Sequence, residues 1–411
     1  MDNLSTLAQQ ILKRCDDLAR CTEVDGQVCR TFLSDPMHQV HNRLTAWMEE
    51  AGLSVRVDAV GNLIGRYRAA PEGAPTLLIG SHLDTVPNAG RYDGPLGVLL
   101  GLALAQLLAG RKLGVGLEVV GFSEEEGVRF RTPFLGSHAM VGSFQPTMLN
   151  LVDAQGYTVE QAIRRFGLDP LQIPQAALKG DYLGFLEFHI EQGPVLEAEN
   201  LSLGLVGQIV GLYRLEVSFT GQAAHAGTTP MNLRRDALSG AAQWMLEVEH
   251  LARVTPGLVA TVGWVRTAPG AANVIPGQAV LSLDLRHPHD ESRGQLWDQL
   301  WQRAQQIAAE RGLQVEFSVQ LDQPAVPMDR GLQDQLAQAF TQRGHLPFTM
   351  VSGAGHDAMI MAQCMPAAMV FLHSPGGISH NPLEAVRQQD VEAALAVGVS
   401  LIEQLEAARG A

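Results

Sequence analysis

Residues 81–94, SHLDTVPNAGRYDG, place His82, Asp84 and Asp93 in one loop directly after the apolar run 76–80, TLLIG. Such a run predicts a buried strand, and the residues after it emerge at the strand's carboxyl end, where open α/β sheets bind ligands. In H-x-D the two side chains leave an extended segment on one face, so Asp84 is placed to accept the second imidazole N–H of His82 and fix its tautomer. Asp93 follows in a Gly-rich loop, 90–94, whose small residues let a backbone and a carboxylate come close to a metal. Taken alone, H-x-D fits a hydrogen-bonded core histidine and two loop aspartates equally well.

Three further segments tip that balance. After a second apolar run, 117–122 (LEVVGF), come Glu124, Glu125 and Glu126, again at a strand end. Adjacent acids repel one another, and a cation facing them relieves the repulsion. His189 lies in FLEFHIEQG, 185–193, and His380 in SPGGISHNP, 374–382, just after the strand-like 367–372. Either histidine alone reads as a buried imidazole bonded to backbone. Segments that agree on strand-end placement point instead to a metallohydrolase site.

The chain has 411 residues, 46% of them hydrophobic, which exceeds one ordinary core and predicts a split into two or so domains. A net charge of -14 argues against nucleic acid and anionic membranes as partners, and an anionic substrate then needs a local basic group. The N-terminus carries charges throughout and shows no signal-peptide pattern. The longest apolar stretch, 95–110, is shorter than a bilayer span and contains Gln106. Its Gly97 and Gly101 read as close helix packing on a sheet. Cys15, Cys21, Cys29 and Cys364 have neither zinc-ligand spacing nor a secretory context, so reduced thiols and a cytoplasmic location are expected.

Helical periodicity covers 4–18 and 37–51, followed by strand-like 54–60 and 62–67. From 209 the order becomes strand 212–220, helix 234–252, strands 259–265 and 279–285, helix 291–311 and strand 313–319, which is the βαββαβ ferredoxin-like pattern. After Pro324 and Pro327 the first pattern resumes, with helices at 332–343 and 388–408. The fold expected is therefore α/β, with a discontinuous catalytic domain, 1–208 and 325–411, interrupted by a smaller α+β insert, 209–324. The insert carries His225, Asn273 and Arg286. Arg offers a planar fork that suits a carboxylate, although a turn residue, a loop residue and an ion pair with Asp284 account for these three as well. His38, His41, His138, His250, His287, His289, His345 and His373 read as surface or loop residues.

Across nearly its whole length the chain resembles the M20 family of metallopeptidases and amidohydrolases, and within it the ureido-hydrolysing branch. That branch acts on allantoate, N-carbamoyl-L-amino acids and ureidopropionate. The resemblance rests on GSHLDTVPNAGRYDG, SEEEGVRF, HIEQGPVLE, HAGTTPM, SGAGHDA and GGISHNP, which occur in the family's order. It implies one divalent ion on His82, Asp93 and His189 and a second on Asp93, Glu126 and His380, with Glu125 as general base and Asp84 supporting the site. Such a pair of ions clamps a water, lowers its pKa and polarises a carbonyl. Mn is favoured, with Zn, Co and Ni as alternatives, since imidazole and carboxylate ligands without thiolate suit all of them.

The resemblance also implies that the insert is a lid and dimerisation domain of a homodimer. Its His225 and Asn273 would stabilise the oxyanion and its Arg286 would anchor the substrate carboxylate, reaching the partner subunit's site. Gln192, Gly355 and His356 match further substrate contacts. The segment 29–34, CRTFLS, favours allantoate, giving ureidoglycine, ammonia and carbon dioxide. Leu212 after Gly211, where many allantoate enzymes carry Gln, keeps an N-carbamoyl-L-amino acid as the alternative. A peptidase or aminoacylase is disfavoured by His189, where that branch has an acid, and a non-catalytic module by the presence of Glu125 with a full ligand set.

Overall fold

The apolar runs around the candidate ligands form the parallel heart of a mixed sheet. In the computed structural model, which describes residues 2–68, 73–108 and 110–410, the strands Gly116–Phe122, Thr76–His82, Tyr182–Ile190 and Ala367–Leu372 lie side by side and parallel. Every residue of Thr76–His82, Gly116–Phe122 and Ala367–Leu372 is buried, as parallel strands covered on both faces must be. Leu53–Val57 and Leu63–Tyr67 extend the sheet antiparallel beyond Gly116–Phe122, and Leu203–Ile209 does so beyond Ala367–Leu372. Parallel order brings the carboxyl ends of the four central strands to one edge. His82 ends its strand, His189 stands one residue from the end of its own, and Ser123 follows Phe122.

The first strand is shorter than the 54–60 run predicts. Asp58 Oδ1 accepts the N–H groups of Val60 and Asn62, at 3.0 and 2.9 Å, and closes a turn where the ladder would have continued.

The helices Asp2–Ala19, Pro95–Leu107 and Gln388–Gly410 pack together, and Pro95–Leu107 also packs on the sheet. Residue 109 of the apolar stretch lies outside the described residues. Gln106, the polar residue within that helix, accepts a hydrogen bond from Arg14 Nη1 at 3.3 Å. Gly97 sits so close to the sheet that a Cβ there would meet the Phe188 carbonyl oxygen at 2.1 Å and Ser81 Cβ at 2.8 Å. Gly97→Val is therefore expected to destabilise the fold by about 1–3 kcal/mol or more, because a strand backbone cannot yield as a side chain can. A thermal melt unchanged from wild type would refute this packing argument.

The chain forms two compact units, Met1–Gly207 with Met328–Met350 and Gly355–Ala411, and a second of Gln208–Pro327 with Val351–Ala354. The second unit is the ferredoxin-like insert. Gly211–Thr220, Gln278–His287 and Gln314–Gln323 form an antiparallel sheet with Val265–Ala268 at its other edge, and Ala237–Val254 and Asp290–Arg311 are its helices. The core closes around buried Trp244, whose Nε1–H donates to the Leu300 carbonyl at 2.9 Å.

Two expectations for the insert need correction. The strand predicted over 259–265 is two short ones, Val259–Thr261 and Val265–Ala268. Ser282 Oγ accepts the N–H groups of Gly263 and Trp264, both at 3.1 Å, and so replaces the ladder at the break. The helix predicted from 234 begins at Ala237, where the Asp236 side chain caps the Ser239 N–H at 3.1 Å.

Not all the remaining histidines are surface residues. His41, His287 and His373 are buried. His41 packs edge-on against Phe166, and burial lowers its pKa to about 4. His373 Nδ1 lies 3.4 Å from the buried Asp390 carboxylate. Among the described residues no helix is long and apolar enough to cross a membrane.

Candidate metal centre

The four strand ends bring His82, Asp93, Glu126, His189 and His380 together around one carboxylate. Asp93 Oδ1 lies 3.4 Å from His82 Nε2 and 3.1 Å from His189 Nε2, and Asp93 Oδ2 lies 3.4 Å from His380 Nε2. His380 Nε2 is also 3.5 Å from Glu126 Oε1. The ligand atoms of His82, Asp93 and His189 lie within 4.8 Å of one another, as do those of Asp93, Glu126 and His380. Asp93 belongs to both groups. Gly94 makes this approach feasible: it adopts φ 84°, and a Cβ there would meet the His82 ring at 2.6 Å.

The protonation pattern shows what this cluster fits. His82 Nδ1 is 3.0 Å from the Asp84 carbonyl and His189 Nδ1 is 2.9 Å from the Ile190 carbonyl. A carbonyl can only accept, so each Nδ1 carries the proton, and in the neutral imidazole each Nε2 turns a lone pair toward Asp93. His189 Nε2 is buried with no hydrogen-bond partner. Two such lone pairs facing one carboxylate suit a cation among them, and imidazole with carboxylate is a donor set for a divalent transition metal.

Charge crowding agrees. Burial would raise the Asp93 pKa, and positive charge placed against it, on His189 and His82 or on a cation among them, holds it well below the usual carboxylate range. Burial pushes Glu125 well above that range against the pull of His82, and burial with the charge of Asp93 pushes Glu126 up to about 8. A bound cation would favour the ionised form of each.

Asp84 does something other than its spacing predicts. The backbone carbonyl of Asp84 takes the His82 Nδ1–H, while the nearest carboxylate oxygen stands off at 3.4 Å. The carboxylate instead accepts the N–H groups of Glu125 at 3.0 Å and Glu126 at 3.1 Å, fixing the acidic loop against the histidine loop. Glu125 itself is buried, with an oxygen within 4.8 Å of ligand atoms of His82 and Glu126.

The other candidates divide by unit. Gln192, at φ 60°, donates its Nε2–H to Asp93 Oδ2 at 2.8 Å, so it touches the central carboxylate directly. His356 is buried, with its ring edge-on to His189 at 4.5 Å between centroids, and it backs that ring. A Cβ on Gly355 would meet the Phe134 ring at 3.0 Å. In the second unit, exposed His225 pairs with Val274 in a two-residue ribbon, and the Ala226 N–H donates to the Asn273 carbonyl at 3.0 Å, so His225 and Asn273 are neighbours. Arg286 spends Nε and one Nη2–H on Asp284, at 2.6 and 3.0 Å, and one Nη1–H on the Gly353 carbonyl. That leaves one N–H on each Nη.

Spacing did not single out three supporting residues. Asn62 Oδ1 accepts the Ser123 N–H at 3.0 Å, and its Nδ2–H reaches Asp58 at 2.7 Å and the Gly136 carbonyl at 2.9 Å. Buried Arg30 donates to the carbonyls of Leu83, Leu18 and Cys21, at 2.7, 3.0 and 2.9 Å. Glu384 accepts the Tyr92 and Asp93 N–H groups at 2.8 and 3.1 Å. Glu384 lies inside GGISHNPLEAV, and its position four residues after His380 is the signal that could have found it.

The profile of Peptidase family M20/M25/M40 matches residues 78–404. An N-carbamoyl-L-amino acid amidohydrolase of Geobacillus stearothermophilus is 40% identical, over 89% of this chain and 90% of its own length. An allantoate deiminase of Arabidopsis thaliana is 37% identical, over 97% of this chain and 82% of its own. The solved structure of a hydantoinase/carbamoylase family amidase from Burkholderia multivorans superposes with a TM-score of 0.90 at 34% identity, covering 97% of this chain and 98% of that one.

Proposed function

The chain belongs to Peptidase family M20/M25/M40, and from that footing we propose that it is a metal-dependent hydrolase of ureido C–N bonds whose substrate is allantoate. The observation that carries the ureido reading is the set of three imidazoles, from His82, His189 and His380, around the Asp93 carboxylate. His82, Asp93 and His189 would hold one ion and Asp93, Glu126 and His380 the other. When bound, the metal would acidify water and polarise the ureido carbonyl, whose carbon is otherwise very unreactive.

The chain's own groups do the rest. Glu125 takes the proton from the attacking water and returns it to the departing nitrogen. Asp84 keeps Glu125 and Glu126 in register through their amides. His225 and Asn273 donate to the developing oxyanion, and Arg286 receives the substrate carboxylate on its free N–H pair. Gln192 orients Asp93 beside the substrate, while Gly355 and His356 line and back the His189 side. The products are ureidoglycine, ammonia and carbon dioxide. A Mn-dependent homodimer in the cytoplasm, with the insert as lid and dimerisation domain, belongs to the same reading.

Allantoate is favoured by the resemblance of the 29–34 segment to allantoate amidohydrolases; the segment also meets the histidine loop, where the Arg30 N–H donates to Thr85 Oγ1 at 2.9 Å and the Thr85 N–H donates to the Arg30 carbonyl at 2.8 Å. The 40% identity to the Geobacillus enzyme supports the second reading, an N-carbamoyl-L-amino acid substrate. Ammonia release by Mn-reconstituted protein, given allantoate and a panel of N-carbamoyl-L-amino acids in parallel, separates the two. Faster turnover of allantoate is the expected result. Preference for a carbamoyl amino acid would replace the substrate and keep the site, and activity on dipeptides alone would end the ureido reading.

A further inference from the structure

Glu384 is 4% exposed and takes no part in the chemistry proposed above, yet it grips the centre from an unexpected direction. One oxygen, Oε1, accepts both the Tyr92 and the Asp93 N–H, across 291 residues of sequence in the second case. The loop wraps the carboxylate so closely that a Cβ on Gly90 would meet Glu384 Cδ at 2.3 Å. Ser379 Oγ, 3.5 Å from Glu384 Oε2, donates to Asp93 Oδ2 at 2.8 Å. On its own side of the clasp, the Glu384 N–H donates to the Asn381 carbonyl at 3.0 Å, closing the turn that carries His380.

The turn needs such support. His380 adopts φ 54°, a left-handed conformation that a non-glycine residue holds only when its surroundings impose it. Its side chain is 49% exposed, whereas those of His82 and His189 are 2% and 1% exposed, so core packing does not fix it as it fixes the other two. The loops bearing Asp93 and His380 come from opposite ends of the chain, and Glu384, carried just beyond the second, accepts backbone N–H groups of the first.

We propose that Glu384 is a positioning residue that sets Asp93 against His380 and so builds the ion position shared by Asp93, Glu126 and His380. It acts by accepting backbone N–H groups through Oε1. This assignment rests on the metal-dependent reading given above. A glutamine retains the accepting oxygen at the same reach, an aspartate withdraws it by one methylene, and an alanine removes it.

The test is divalent-ion titration of the full-length protein with Mn, followed calorimetrically and by metal content after gel filtration, with circular dichroism as the fold control. Glu384→Ala is expected to weaken binding of one of the two ions by about 10- to 100-fold, the usual effect of removing an outer partner of a ligand. Glu384→Asp should behave like the alanine variant, and Glu384→Gln should bind close to wild type. Aspartate keeps a carboxylate in the loop, so it carries the test if the alanine protein does not fold. Wild-type binding in both the aspartate and alanine variants would overturn the proposal, as would a glutamine variant as weak as alanine, since charge and not acceptance would then matter. Wild-type protein that takes up no divalent ion would sink the metal-dependent reading and this assignment with it. Intact wild-type binding with unaffected variants would sink this assignment alone.

Discussion

Glu125→Gln is expected to lower turnover of the ureido substrate by about 10²- to 10⁴-fold, the usual share of a general base, while metal content and melting temperature stay at wild type. The separation follows from how the residue is held. Its backbone is pinned by the Asp84 carboxylate through its own N–H at 3.0 Å, a bond that the side chain does not touch. The side chain is buried, so a glutamine of the same shape fills the same space. It cannot take a proton from water. The measurement is kcat for ammonia release beside metal content per chain. Unchanged kcat would remove Glu125 from the mechanism. A fall in metal content would make it a ligand, an arrangement its proximity to His82 and Glu126 leaves open to test.

The difference between Asp84 as predicted and Asp84 as found shows where sequence reading stops. Alternation along an extended segment puts His82 and Asp84 on one face. The strand, however, ends at His82, and the chain turns so that the Asp84 carbonyl meets the imidazole first. That leaves the carboxylate free to tie down a loop some forty residues away. Strand ends were legible because apolar runs fix buried strands and parallel strands must share an edge. The insert was legible because its helices are long enough to show their period. The short helices Leu135–Met140 and Val159–Arg165 were not, since a turn or two carries too little periodicity.

Supporting residues were harder still. Asn62, Arg30 and Glu384 act through backbone groups of distant segments, and a backbone acceptor or donor leaves no mark on the sequence it belongs to. In the sequence Arg30 stands out only as part of the 29–34 segment, and its role as a buried clamp on Leu83 rests on its three carbonyl partners. A buried guanidinium so placed is a structural residue, which is why that segment bears on the histidine loop at all.

Asp93→Ala is the substitution expected to do most. Both ligand groups contain Asp93, so one change removes the shared carboxylate from each. It leaves His82, His189 and His380 as separate imidazoles, with nothing anionic between the two buried ones. It also takes the nearest acceptor from two donors, the Gln192 Nε2–H and the Ser379 hydroxyl, both at 2.8 Å from Asp93 Oδ2 in the native protein. Turnover should fall below detection and metal content below one ion per chain. The fold should survive, because the side chain lies beyond the strand ends and the apolar strands beneath it keep their packing. Asp93→Asn sharpens the test: it keeps an oxygen and the size but loses the charge, so it should retain the melting temperature of the metal-free wild type and still bind metal weakly. An alanine variant that kept two ions per chain would mean that the three histidines do not share a carboxylate-bridged centre, and the proposed function would lose the observation that carries it.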